Sequence, residues 1–169
     1  MKIIVISDTH GMRRSLEKVM QMQPDADMYL HLGDGEREVH AFLMANPAYR
    51  EKFHYLKGNC DSGFLVQPTH DEFVMALPFG HKIFAAHGDR YQVKFGSNRI
   101  RYEAKSVGAD IILFGHTHMR QNVYDDGLYI VNPGSLGAPR DGKRPGFAVI
   151  DVRESGVLVN LVEFAAGML

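Results

Sequence analysis

The chain has 169 residues, 45% of them apolar and 23% charged, with a formal net charge of −1. That balance is ordinary for a globular protein, carries no electrostatic footprint for nucleic acid or an anionic membrane, and fits one domain over residues 1–169. Cys60 is the only cysteine, so an intramolecular disulfide is excluded, and no apolar run reaches the roughly 18 residues of a membrane-spanning helix.

Ile3 to Ile6 is a continuous β-branched run, the pattern of a central strand covered on both faces, and it ends in Ser7-Asp8-Thr9-His10-Gly11. Its apolar part is too short for a signal peptide and no small-residue cleavage site follows, so a cytoplasmic, reducing location is expected. Leu16, Val19 and Met20 recur at helical spacing within Ser15–Met22, and Pro24 limits that helix. A second strand, Asp27 to Leu32, ends in Gly33-Asp34-Gly35. A helix over about 36–45 then carries Val39, Phe42 and Leu43 on one face. A third strand, Phe53 to Leu56, ends in Lys57-Gly58-Asn59-Cys60-Asp61. Strand, polar loop and helix in repetition predict βαβ units and parallel pairing, and in such sheets ligands collect at the carboxyl ends of the strands.

The second half reads differently. Glu72–Leu77 and Lys82–Ala86 flank Pro78-Phe79-Gly80-His81 as a hairpin, and the second run ends in His87-Gly88. Ser97 to Val107 reads as a helix with Ile100 and Ala104 inward and Gly108 as its stop. The strand Asp110 to Phe114 then delivers Gly115-His116-Thr117-His118. Two further hairpins follow, Gln121–Tyr124 with Leu128–Val131 and Gly146–Val152 with Val157–Phe164. Between them, 132–140 is too rich in glycine and proline for regular structure.

Five polar clusters therefore end five predicted strands. Carboxylate oxygen with imidazole nitrogen and no thiolate set suits Mn²⁺, Fe, Zn²⁺, Ni²⁺ or Co²⁺ better than a cysteine-based structural zinc site. The candidates Asp8, His10, Asp34, Asn59, His87, His116 and His118 are too many for one ion that must also bind water and substrate. They suit two ions sharing a carboxylate. A metal pair about 3.5–4 Å apart activates a bridging water and clamps both oxygens of an in-line displacement at phosphorus, which is phosphate-ester hydrolysis.

In this order and combination the motifs D-x-H, G-D, G-N-C-D, H and G-H-x-H resemble those of the calcineurin-like metallophosphoesterases, in particular their small single-domain prokaryotic phosphodiesterase branch. Asn132-Pro133-Gly134-Ser135 is similar to a segment typical of that branch. The resemblance implies a four-layer α-β-β-α sandwich of two mixed sheets with a dinuclear site at the strand ends. It implies Asp8, His10 and His118 on one metal, Asn59, His87 and His116 on the other, Asp34 bridging, and a bridging hydroxide as nucleophile. Mn²⁺ is the first expectation, because oxygen ligands make up about half the set. A small phosphodiester is the expected substrate, and the family makes a homo-dimer or homo-tetramer an expectation.

Where larger phosphatases of the superfamily carry a histidine proposed to protonate the leaving group, Cys60 stands here. A thiol with a reference pKa of about 8.5 is a poorer acid near neutrality. Weak activity on alkyl monoesters and better activity on diesters with good leaving groups are expected, with Cys60 and Asp61 as weak catalytic candidates. His31, between Leu30 and Leu32 inside a strand, reads as structural; His40, His54, His70 and His81 get no role; Arg140, Lys143 and Arg144 read as a solvated basic loop. Two rivals stand beside the enzyme. One is a protein-interaction scaffold of the retromer-subunit type on the same fold. The other is a nuclease of the same superfamily, which the charge balance disfavours.

Overall fold

The structure is a computed structural model that describes residues 1–167; the end of the expected 1–169 domain, Met168 and Leu169, lies outside the described residues. In chain order the elements are β1 (Lys2–Ile6), α1 (Arg13–Met22), β2 (Met28–His31), α2 (Glu36–Ala45), β3 (Phe53–Leu56), β4 (Thr69–His70), β5 (Glu72–Ala76) and β6 (Lys82–Ala86). Then come α3 (Asn98–Ser106), β7 (Ile111–Leu113), β8 (Gln121–Asp125), β9 (Leu128–Asn132), β10 (Gly146–Arg153) and β11 (Gly156–Glu163).

The strands form two mixed sheets, ordered β11-β10-β1-β2-β3-β4 and β5-β6-β7-β9-β8. β1, β2 and β3 pair in parallel, as the strand–loop–helix repetition predicts, while β10 from the far end of the chain pairs antiparallel on the other side of β1. In the second sheet β6, β7 and β9 are parallel, with antiparallel β5 and β8 at the edges.

The unbroken apolar runs follow from burial on both faces. Ile3 and Val5 of β1 point between the sheets, with Leu30, Ile83, Ile111, Leu113 and Ile150. Ile4 and Ile6 point the other way and pack with Leu16 and Val19 of α1 and Val39 and Phe42 of α2. Likewise Ile112 turns away from Ile111 and Leu113, toward Ile100 and Ala104 of α3. Side chains that alternate along each strand thus fill three core layers and give an α-β-β-α sandwich.

The differences from the sequence reading are local. β4 is two residues long, too short to leave a periodic signal, and pairs in parallel with β3. The turn between β5 and β6 is a 3₁₀ turn, Pro78–Gly80, with Phe79 at φ 62°. α1 begins at Arg13, two residues before the expected Ser15, and has no side-chain cap.

Candidate metal centre

The carboxyl ends of β1, β2, β3, β6 and β7 open onto one place. β1 leads into Asp8 and His10, β2 into Asp34, β3 into Asn59 to Asp61, β6 into His87, and β7 into His116 and His118. Backbone bonds tie these loops to one another: Asp8 N donates to Gly33 O at 3.0 Å, His10 N to Asp34 O at 3.1 Å, and Gly115 N to His87 O at 3.0 Å. Asp8, Asp34, His87 and His118 are buried, while His10 and Asn59 stand at the mouth.

Asp8, His10, Asp34, His116 and His118 all have φ between 43° and 63°. Left-handed backbone is costly for residues with a Cβ and persists where surrounding structure enforces it, commonly at functional sites. Close approach also fixes two glycines. A Cβ on Gly58 would overlap Asp34 Oδ1, and one on Gly115 would overlap Ser7 Oγ.

The buried rings are oriented by carbonyls. His87 Nδ1 donates to Leu32 O and His118 Nδ1 to Ala138 O, each at 2.7 Å. A carbonyl only accepts, so in the neutral rings Nε2 carries the lone pair, and it faces the site. What each Nε2 meets is another acceptor. His118 Nε2 lies 3.1 Å from Asp8 Oδ1 and 3.2 Å from His10 Nε2. His87 Nε2 lies 3.2 Å from Asn59 Oδ1 and 3.5 Å from Asp34 Oδ2. Asp8 Oδ1 is a buried oxygen without a hydrogen-bond partner, although Oδ2 accepts from Ser7 Oγ at 2.5 Å and from the His116 amide at 3.0 Å.

Lone pairs turned on one another in a buried site are unfavourable unless a cation or extra protons lie among them. The residues therefore fit a metal. Ligand atoms of Asp8, His10 and His118 fall within 4.8 Å of one another, as do those of Asp8, Asp34 and His87 and those of His10, Asp34 and Cys60. Two of these groups contain Asp8 and two contain Asp34. Without a cation that work would fall to protons: burial alone would raise the Asp8 carboxyl, but N–H groups on the His10 and His118 rings would outweigh it and hold it well below the usual range. His10 is raised, first by its contact with Asp8. His116 is lowered, by burial first and then by His87 and Lys94.

His116 stands a little apart. Its ring packs edge-on against His87 at 5.1 Å, and it belongs to none of the three close groups. Cys60 lies at the mouth, where its amide donates to Asp34 Oδ1 at 2.8 Å. Burial and then the Asp34 carboxylate push its thiol up to about 11.

Asp61 does something its position in the motif does not announce. Its Oδ2 accepts from Asp34 N at 2.8 Å, Gly58 N at 2.7 Å and the Tyr55 hydroxyl at 2.7 Å, and Oδ1 from Gly35 N and Glu36 N at 3.2 Å each. One carboxylate thereby fixes the turns that carry Asp34 and Asn59. His31 has a comparable task. Its buried ring is pushed down to about 4 by burial, accepts from Gly33 N at Nδ1, and meets Thr9 Oγ1 at 2.7 Å through Nε2. Ser135 Oγ donates to Asp8 O at 2.7 Å, so the Asn-Pro-Gly-Ser loop braces the first strand end. The remaining histidines face other partners, His81 pairing with Asp110 at 2.5 Å and His40 with Leu65 O at 2.7 Å.

The calcineurin-like phosphoesterase superfamily domain matches residues 1–155, and the chain belongs to that superfamily. It is 29% identical to the probable metallophosphoesterase YsnB of Bacillus subtilis over 98% of this chain and 92% of the relative. It is 26% identical to the phosphodiesterase YfcE of Escherichia coli over 89% and 88%. Among solved structures, a predicted phosphoesterase from Streptococcus pneumoniae superposes with a TM-score of 0.78 at 27% identity, covering 98% of this chain and 93% of that one. A Vps29 of Entamoeba histolytica, at 22% identity and a TM-score of 0.70 over 98% and 100%, shares the fold. Among the described residues no helix is long and apolar enough to cross a membrane.

Proposed function

We propose that this chain is a metal-dependent phosphodiesterase. Asp8, His10 and His118 would hold one divalent ion, Asn59, His87 and His116 a second, with Asp34 between them. The observation that carries the reading is the convergence of buried acceptors: Asp8 Oδ1 without a hydrogen bond, facing the Nε2 atoms of His118 and His10. When bound, a pair of such ions supplies a nucleophile from water at neutral pH and positive charge for the phosphoryl oxygens. Mn²⁺ is the first candidate, because Asp8, Asp34 and the Asn59 amide present hard oxygens beside the imidazoles.

The chain's own residues do the positioning. The carbonyls of Leu32 and Ala138 keep the His87 and His118 lone pairs aimed inward. Asp61 keeps Asp34 and Asn59 in register. Exposed at the mouth, His10, Asn59 and Cys60 are the groups an incoming ester meets first. Cys60 stands where a leaving-group acid would have to stand, and near neutrality a thiol is a poorer proton donor than an imidazolium, so esters whose leaving group departs unaided are favoured, aryl diesters above alkyl monoesters. The YfcE likeness supports a diester preference. The filled ligand pattern favours an enzyme over an interaction scaffold on the same fold.

The test is chelation followed by addition of Mn²⁺, Ni²⁺, Co²⁺ or Zn²⁺, with bis(p-nitrophenyl) phosphate as substrate. Activity is expected to vanish on stripping and to return best with Mn²⁺. Undiminished hydrolysis by the stripped protein overturns the reading.

A further inference from the structure

The two flanks of the centre differ in charge. On one side lies a cleft of about 530 Å³ bordered by Glu36, Glu38, Asp61, Arg37 and Cys60. On the other lies a groove of about 410 Å³ lined by Lys94, Thr117, Met119, Arg120 and Arg140. This second groove adjoins the site, since Thr117 lies between His116 and His118 and the Arg140 amide donates to His118 O at 3.0 Å.

Within the groove the cations play different parts. The Arg120 side chain is 9% exposed and committed, pairing through Nη1 with Asp141 at 2.7 Å and donating from Nη2 to Arg144 O; its Nε has no hydrogen-bond partner. Asp141 therefore neutralises Arg120 and leaves the rim uncompensated. At that rim Lys94 and Arg140 are exposed, and neither side chain joins an ion pair among the described residues. Lys105, Arg101 and Arg90 pair with Asp126, Asp125 and Asp71, while exposed Arg14, Arg37 and Arg99 also lack an ion pair among the described residues; Lys94 and Arg140 differ from these in sharing one groove beside the centre. Two unpaired positive charges on a groove that leads from the imidazole side of the centre form a receptor for an anion attached to the substrate.

From this asymmetry we infer that the Lys94–Arg140 groove is a substrate subsite, selecting phosphodiesters one arm of which carries a second phosphate. The inference rests on the phosphodiesterase reading above and adds to it a substrate class. The diester phosphorus faces the centre, the arm with the second phosphate lies along Thr117 toward Lys94 and Arg140, and the other arm leaves past Cys60.

The experiment compares thymidine 5′-(p-nitrophenyl phosphate) with its 3′-phosphorylated counterpart in the Mn²⁺-loaded enzyme and in the Lys94→Glu/Arg140→Glu double variant. The wild type is expected to favour the 3′-phosphorylated substrate in kcat/KM, and the double variant to lower that ratio by about tenfold, the size two exposed charge reversals give. Raising the salt concentration should shrink the wild-type preference toward the variant's. A ratio of one in the wild type, or a ratio the double variant leaves unchanged, overturns the subsite. If neither ester is cleaved with any metal, the phosphodiesterase reading fails. The subsite is then read from calorimetric titrations of both proteins with thymidine 3′,5′-bisphosphate and thymidine 5′-monophosphate. Tighter binding of the bisphosphate by the wild type alone supports it; equal binding of the two overturns it.

Discussion

The two sheets contribute unlike chemistry to the same centre. The first, through the ends of β1, β2 and β3, brings two carboxylates, an amide and the His10 ring; the second, through β6 and β7, brings three imidazoles. They are also secured differently. Asp34 and its neighbours are held by a dense set of amide-to-carboxylate bonds centred on Asp61, whereas His87 and His118 are each aimed by a single bond from Nδ1 to a carbonyl. The shortest carboxylate–imidazole approach at the centre, His118 Nε2 to Asp8 Oδ1, crosses from one sheet to the other. The oxygen side is thus a densely cross-bonded floor, and the nitrogen side a set of separately mounted imidazoles.

That contrast is most severely tested by removing one ligand from each side. Asp34→Asn, which takes away the carboxylate proposed to be shared, is expected to lower activity by about a thousandfold or more and to deplete both ions. His116→Gln should cost less activity and leave one ion per chain when metal content is measured by mass spectrometry. Equal metal loss in the two variants would end the distinction.

The mounting of the floor comes next. Asp61→Asn replaces one acceptor oxygen with a donor group among five donors, and an oriented partner of this kind is worth about 10–100-fold in metal affinity or activity. Tyr55→Phe removes only the hydroxyl donor and should fall near the bottom of that range. A Mn²⁺ titration of each variant separates an effect on the ions from a general loss of stability.

The seam itself can be loosened without touching a ligand. Leu113 is buried between the sheets beside Leu30 and Val5, and Leu113→Ala is expected to destabilise by about 2–5 kcal/mol in denaturant unfolding. Because His116 and His118 follow this strand, metal affinity should weaken with it more than after a comparable truncation of Leu16, which lies outside the seam.

The smallest effect concerns the edge of the imidazole side and has a defined sign with pH. Asp141 opposes burial by accepting from the Arg120 and Lys143 amides and by facing the Arg120 guanidinium, which lowers its pKa from 3.8. A carboxyl held lower in the folded than in the unfolded state binds fewer protons when folded, so its stabilisation is present above about pH 4 and is lost as pH falls toward the folded value. Asp141→Asn should therefore flatten the acid side of the Tm–pH curve and leave its shape near neutrality unaltered.

Much of this was legible in the chain. The β-branched runs Ile3–Ile6 and Asp110–Phe114 predict strands buried on both faces, and their alternate residues do fill separate core layers. The clusters at strand ends predict a common site, because parallel strands in one sheet end on the same side. What stayed hidden depends on contacts between distant segments. Asp61 follows Cys60 in the motif, yet its partners lie in the turns after β2 and β3 and on Tyr55, which no spacing reveals. Arg140 reads from sequence as part of a solvated basic loop; only the fold brings it to one groove with Lys94. β4, at two residues, owes its existence to β3 more than to its own composition.

The position of β1 has a consequence for biosynthesis. This strand supplies Asp8 and His10, but it lies in the interior of its sheet, with β2 on one side and β10 on the other. A nascent chain emerging from the ribosome can lay β2 and β3 beside β1 early, while the opposite edge of β1 stays bare until residues 146–153 arrive. The Ser135 bond to Asp8 O is likewise made from the later part of the chain. A strand synthesised ahead of β2, β3 and β10 is therefore among the last to be enclosed, and a chain arrested before β10 would carry all seven candidate ligands and still lack the strand that pairs with the other edge of β1.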